Sequence, residues 1–233
     1  MNDIVQVKKN INDINNKISE AAKKSGRKKE EITIVAVTKT FPVEAWNISI
    51  KAGLFAIAEN RIKETEVKYD SIIKTAGIEL HLIGHLQTNK VRKAIKMFDI
   101  IQTVDSIRLA NKINTIAKEN NKIQNIYIQV NSGKDPKKTG FCVEKIFENI
   151  KTISLLENLK IKGIMTIPPN LKSKEKLRNI YKKTKKIRDE VYGNIDTSCT
   201  DLSMGMTNDY SIAIEEGATH VRIGTGIFGS RKT

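Results

Sequence analysis

The chain has 233 residues, with 41 Lys and Arg against 26 Asp and Glu, a formal net charge of +15. An apolar content of 39% beside 29% charged residues excludes a disordered chain, and no apolar run approaches the ~20 residues that span a bilayer as a helix. The first 24 residues hold Asp3, Asp13 and Glu20 and no apolar core, unlike a secretory signal. The two cysteines, Cys142 and Cys199, form neither a CxxC pair nor a metal-ligand spacing, so the expected setting is the cytoplasm.

Val7, Ile11, Ile14, Ile18 and Ala22 recur at spacings of three and four and predict an amphipathic N-terminal helix closed by Ser25-Gly26. Ile32 to Val37 is a short β-branched run that predicts a buried strand, and Pro42 predicts a helix opening behind it. The alternation repeats, with strands expected to begin near Ile32, Phe55, Glu79, Asp99, Gln124, Lys160, Ile195 and Thr219. Helical spacing fills the intervals, as in Ile107, Ala110, Ile113 and Ala117, or Leu177, Ile180, Tyr181, Thr184 and Ile187. Strand starts recur about every 27 residues, near the ~30 of a βαβ unit. Eight such units predict a single α/β domain over 1–233, a (β/α)8 TIM barrel with an extra N-terminal helix over 1–25. An open doubly wound sheet is the alternative.

In a barrel, chemistry gathers at the C-terminal ends of the strands. Lys39 follows the run Ile34 to Thr38. A partly desolvated amine there is a candidate nucleophile toward an aldehyde; the plainer reading is a lysine that marks where the strand meets water. Ser203 and Gly205 at the seventh strand end, and Gly224, Thr225 and Gly226 after the eighth, suit an anion. Glycines let backbone N–H groups approach it, hydroxyls add donors, and a helix expected from about Asn208 adds its positive end. Arg222 on the last strand needs an acceptor, which a carboxylate, a ring nitrogen or a phosphate would supply.

His81 and His85 are four apart, but Gly84 interrupts them, so with His220 they predict no metal site. Lys172 to Arg188 keeps helical spacing and reads as an outer helix with a lysine face. The charge nonetheless leaves a basic nucleic-acid-binding protein as one alternative, weakened by 5% aromatic content with none interleaved among the lysines.

Seven segments carry a resemblance over nearly the whole chain. They are A-V-T-K-T-F-P-V-E from Ala36, E-N-R-I-K-E from Glu59, H-L-I-G-H-L-Q-T-N-K from His81 and K-T-G-F from Lys138. G-I-M-T-I-P-P from Gly163, L-S-M-G-M-T-N-D-Y from Leu202 and V-R-I-G-T-G-I-F-G-S-R from Val221 complete the set. The chain resembles the pyridoxal phosphate homeostasis proteins, the YggS/PROSC type. The resemblance implies a barrel like the N-terminal domain of alanine racemase, binding pyridoxal 5′-phosphate (PLP) as an internal aldimine. It matches Lys39 to the Schiff-base lysine, Ser203, Gly224 and Thr225 to the phosphate cradle, Asn60 and Met165 to residues lining the ring, and Arg222 to the arginine facing the pyridine nitrogen. Where the family usually has Gly-Glu-Asn, this chain has Ala58-Glu59-Asn60.

An arginine leaves the ring nitrogen unprotonated and weakens the cofactor as an electron sink. The racemases, by resemblance, take a tyrosine from a second domain, and this chain ends about ten residues after its last strand. The expectation is therefore a monomeric PLP carrier or buffer in vitamin B6 homeostasis. It is expected to have little or no amino-acid turnover, no catalytic residue, no membrane partner, and PLP-dependent apo-enzymes as candidate recipients. A PLP-dependent racemase or lyase is the other alternative.

Overall fold

The computed structural model describes residues 3–71 and 77–230. Its strands are β1 (Thr33–Val37), β2 (Ala56–Glu59), β3 (Glu79–Leu82), β4 (Ile100–Val104), β5 (Gln124–Gln129), β6 (Leu159–Met165), β7 (Asp201–Met206) and β8 (His220–Ile223). All neighbours pair in parallel and in sequence order. β8 returns to β1 with Thr33 opposite His220 and Ala36 opposite Ile223, which closes the barrel and excludes the open sheet. The helices are α1 (Ile4–Lys24), α2 (Glu44–Lys51), α3 (Ile62–Ser71), α4 (Val91–Met97), α5 (Ile107–Glu119), α6 (Ile146–Ser154), α7 (Lys174–Asn194), α8 (Tyr210–Glu215) and α9 (Thr225–Phe228).

The N-terminal helix forms where the spacing predicts it. The Asp3 carboxylate accepts the Gln6 N–H at 2.8 Å, and Gly26 leaves the far end at φ +70°, a conformation that favours glycine. Its buried stripe is Val7, Ile11, Ile14 and Ile18, each burial stabilising by ~1.5–3 kcal/mol. The helix lies against α8 and α9, and the Asn10 side chain donates to the Ile227 carbonyl at 2.8 Å.

Three element boundaries differ from expectation, the first being α2, which begins at Glu44, two residues after Pro42. The seventh strand begins at Asp201 rather than near Ile195, because α7 continues to Asn194 and the Ile195 N–H still bonds the Val191 carbonyl. Ile195 is thus the apolar cap of a helix. The helix expected from about Asn208 begins at Tyr210 and is six residues long.

Each strand serves two shells. Residues such as Ile34, Ile57, Ile101, Ile126, Leu202 and Val221 face the helices and form the main core. The inner shell holds Val35, Val37, Ala56 and Ala58 on one side and Ile100, Tyr127 and Met165 on another. Ala58 is fully buried there, so its methyl group is accommodated within the inner shell.

Candidate functional site

A cavity of about 630 Å³ opens at the C-terminal ends of the strands. Lys39, Arg222, Gly224 and Thr225 line it together with Thr207 and Asp209. Residues from the first and last strands thus meet in one space.

Lys39 is presented by a strained, tightly held turn. The Phe41 N–H bonds the Thr38 carbonyl at 3.1 Å, and Thr40 sits at φ +65°, an outlier for a β-branched residue. The same Thr38 carbonyl accepts the Lys68 ammonium at 2.9 Å. Lys68 also pairs with Glu59 at 2.6 Å, both of them buried, and Glu59 Oε1 accepts the Thr38 hydroxyl at 2.6 Å and the Trp46 indole N–H at 3.0 Å. A desolvated ion pair of this kind fixes geometry more than it adds stability. It ties β1, α2, β2 and α3 together directly beneath Lys39.

Arg222 is buried at 3% exposure, and among the described residues no carboxylate lies within ion-pair distance of it. Its Nη1 donates to the Ser203 hydroxyl at 2.7 Å and its Nη2 to the Thr166 carbonyl at 2.9 Å. Burial pulls its pKa below the usual arginine value, partly offset by Tyr181 and Asp209.

Ser203 and Gly205 were both expected at the anion-binding loop, and the structure places them elsewhere. Ser203 lies inside the barrel with its hydroxyl engaged by Arg222 and by Gln102, to which it donates at 2.7 Å. It sits deeper along β7 than the strand mouth. Gly205 follows a register shift between Ser203 and Met206 and turns toward α8, where a Cβ would come 2.5 Å from the Ala213 methyl carbon. At φ +90° it serves helix packing.

The hydroxyl that does reach the loop is Thr207, unremarked in the sequence. Its Oγ1 lies 3.5 Å from Thr225 Oγ1 and accepts weakly from the Gly226 N–H at 3.4 Å. The turn that carries it is locked by Asp209, whose carboxylate accepts the Met206 N–H at 2.5 Å and the Tyr181 hydroxyl at 2.9 Å. Burial and Asp209 raise the Tyr181 pKa, so that phenol stays a donor. The readable signal was the hydroxyl two residues past Gly205, at the true end of β7.

Asn60, just past β2, has a buried side-chain oxygen with no hydrogen-bond partner. Gly84 after β3 is pressed on the Asn60 backbone, a Cβ there falling 2.0 Å from the Asn60 carbonyl oxygen. Met165 is fully buried and packs with Tyr127, Ile100 and Ile167 below the cavity. Among the described residues there is no His, Cys, Asp or Glu cluster able to hold a metal ion, and no helix is long and apolar enough to cross a membrane.

The family model for the alanine racemase N-terminal domain matches residues 8–232. A pyridoxal phosphate homeostasis protein of Aquifex aeolicus is 38% identical over 93% of this chain and 94% of its own length. PipY of Synechococcus elongatus, solved with PLP bound, superposes with a TM-score of 0.80 at 30% identity, over 91% of this chain and all of that one. An alanine racemase of Clostridium difficile shares the fold, with a TM-score of 0.75 at 20% identity over 94% of this chain and 56% of its own.

Proposed function

The chain belongs to the pyridoxal phosphate homeostasis protein family, and from that premise we propose that it binds PLP through Lys39 and buffers or carries it in intracellular vitamin B6 homeostasis, with little or no amino-acid turnover. The observation that carries this reading is the convergence of an amine, a carboxylate-free guanidinium and paired hydroxyls on one cavity. An aldehyde, a ring nitrogen and a phosphate each need one of these. The orphaned Asn60 oxygen is a further polar atom awaiting a partner.

When bound, the cofactor supplies an aldehyde that condenses reversibly with a lysine amine and releases water. Lys39 is the amine, held in place by the turn that Thr38, Phe41 and Lys68 fix. Thr207, Thr225 and the Gly224–Gly226 backbone would hold the phosphate. Asn60 and Met165, which lie behind the cavity lining, would support the ring, and Ser203 would act at one remove, by holding Arg222. Arg222 keeps its proton and only donates, so a ring nitrogen placed against it would gain no charge. Carbanion chemistry is then poorly supported, whereas capture and release of the aldehyde are not impaired. We read the chain as one barrel domain over 1–233, monomeric and cytoplasmic, with PLP-dependent apo-enzymes as recipients.

The test is direct. Protein incubated with PLP should show a visible band that borohydride abolishes, and peptide mapping should place the reduced adduct on Lys39. An adduct on another lysine, or a Lys39→Ala protein with the same reducible band, overturns the assignment. Deuterium uptake from solvent into alanine at catalytic rates would instead favour a racemase or lyase.

A further inference from the structure

A line of side chains crosses the barrel interior from its floor to the cavity. Arg222 Nη1 meets Ser203 Oγ at 2.7 Å, Ser203 meets Gln102 Oε1 at 2.7 Å, Gln102 Nε2 meets His81 Nδ1 at 2.7 Å, and His81 Nε2 meets Glu79 Oε1 at 2.7 Å. Ser203, Gln102 and His81 are fully buried and Arg222 nearly so, whereas the Glu79 side chain is 47% exposed at the opposite end of the barrel from the cavity.

Hydrogen-bond chemistry gives this line one direction. A guanidinium has donors and no acceptor, so the Ser203 oxygen must accept from Arg222. Among the described residues the Ser203 hydroxyl has Gln102 as its other hydrogen-bond partner, and its proton faces the carboxamide oxygen. The carboxamide NH2 therefore points to His81, whose Nδ1 accepts. The ring proton sits on Nε2 and is donated to Glu79. An acceptor-only carboxylate at one end and a donor-only guanidinium at the other impose the same polarity on every link. Reversing the Gln102 and His81 links would leave the Ser203 proton without an acceptor and set the bare His81 Nε2 against the Glu79 carboxylate, acceptor against acceptor, where an unmade hydrogen bond is costly.

We infer that Glu79 is a positioning residue for Arg222, acting through His81, Gln102 and Ser203 from the far face of the barrel. Loss of its acceptor leaves the His81 Nε2–H unanswered. His81 and Gln102 can then reverse, so that the Ser203 oxygen takes the Gln102 N–H as well as the Arg222 N–H while its own proton is left without an acceptor, and the hold on the guanidinium weakens. The consequence for a bound ring rests on the reading that PLP lies against Arg222; the hydrogen-bond line does not.

The test compares Glu79→Leu, which removes the acceptor at a half-exposed position, with Glu79→Gln, which keeps one. In the ligand-free protein, nitrogen NMR should find His81 as a single Nε2–H tautomer in the parent and in Glu79→Gln, and as a mixture in Glu79→Leu. Exchange of the Arg222 guanidinium protons with solvent should rise several-fold in Glu79→Leu alone, up to the roughly tenfold that full loss of one hydrogen bond to a charged group would give. With PLP, the visible band should shift in Glu79→Leu and in Ser203→Ala, and the double variant should shift no further. An unchanged His81 tautomer and unchanged Arg222 exchange in Glu79→Leu overturn the inference, whatever the band does. If the parent protein forms no band with PLP, the cofactor reading fails, and the Arg222 exchange rates alone support or overturn the line.

Discussion

Phe41 and Phe228 pack ring against ring, centroids 5.3 Å apart and planes tilted by 50°. Phe41 closes the turn that presents Lys39, and Phe228 ends α9, which begins at Thr225. One aromatic contact therefore couples the amine to the hydroxyl loop. In a cycle of Phe41→Leu, Phe228→Leu and the double variant, urea unfolding should show a coupling of about 0.5–1.5 kcal/mol. Both single variants should also release PLP faster than the parent, and additive unfolding energies would break the link.

Lys68→Met leaves the Glu59 carboxylate buried without its cation. The expected cost is about 3–5 kcal/mol in urea unfolding, because breaking one side of a buried pair strands the other charge. The Glu59→Gln/Lys68→Met double variant should recover most of that loss. A single variant as stable as the parent would mean the pair does not hold the Lys39 turn.

Stability should fall on acidification through the histidine range. Burial, opposed by Asp201 and reinforced by His81, lowers His220 to about 4, while an unfolded histidine titrates near 6.5. The neutral form is favoured in the folded protein. Its contribution is therefore complete above about 6.5 and is lost as pH falls toward 4, where the unfolded chain binds the extra proton. Glu79, held below its usual range first by the His81 hydrogen bond, adds a second loss at lower pH. Unfolding midpoints between pH 7.5 and 4 should show the first slope in the parent and a flatter one in His220→Gln.

Gly205→Ala should destabilise by about 1–3 kcal/mol from its positive φ alone, with the Ala213 contact added. For a chain of this size that lowers the melting temperature by roughly 2–4 °C per kcal/mol. An unchanged melt would show that β7 and α8 can separate freely.

Thr207→Val keeps the shape of the loop and removes one hydroxyl donor. PLP should dissociate about tenfold faster, the expected loss for one hydrogen bond to a charged group. Release followed by the fading of the visible band checks this, and an unaltered rate would remove Thr207 from the phosphate site.

The order of the strands and the Lys39 position were legible in the sequence because both rest on local pattern. A β-branched run ending in lysine reads the same in isolation as in the barrel. What was not legible depends on facing across the barrel. Ser203 and Thr207 are both hydroxyls near the end of one strand, and only the register shift in β7 turns the first inward and brings the second to the loop. The Glu59–Lys68 pair joins β2 to α3 and was hidden because Lys68 reads as one more lysine on a solvated helix. The inner line from Glu79 to Arg222 draws on strands β3, β4, β7 and β8, so no spacing along the chain announces it.

The cavity straddles the seam at which β1 meets β8. Its amine follows the first strand, its guanidinium lies on the last, and its paired hydroxyls follow the seventh and eighth, so no ligand contact set is complete until the final strand has joined. On the ribosome the pocket would then be the last part of the molecule to form, and PLP would bind finished chains and not nascent ones. A ligand held across that seam also acts as a clasp. Saturation at a hundredfold over the dissociation constant adds about 2.7 kcal/mol to the closed state. A cell short of the vitamin would accordingly hold a less durable protein, turned over faster as PLP runs low.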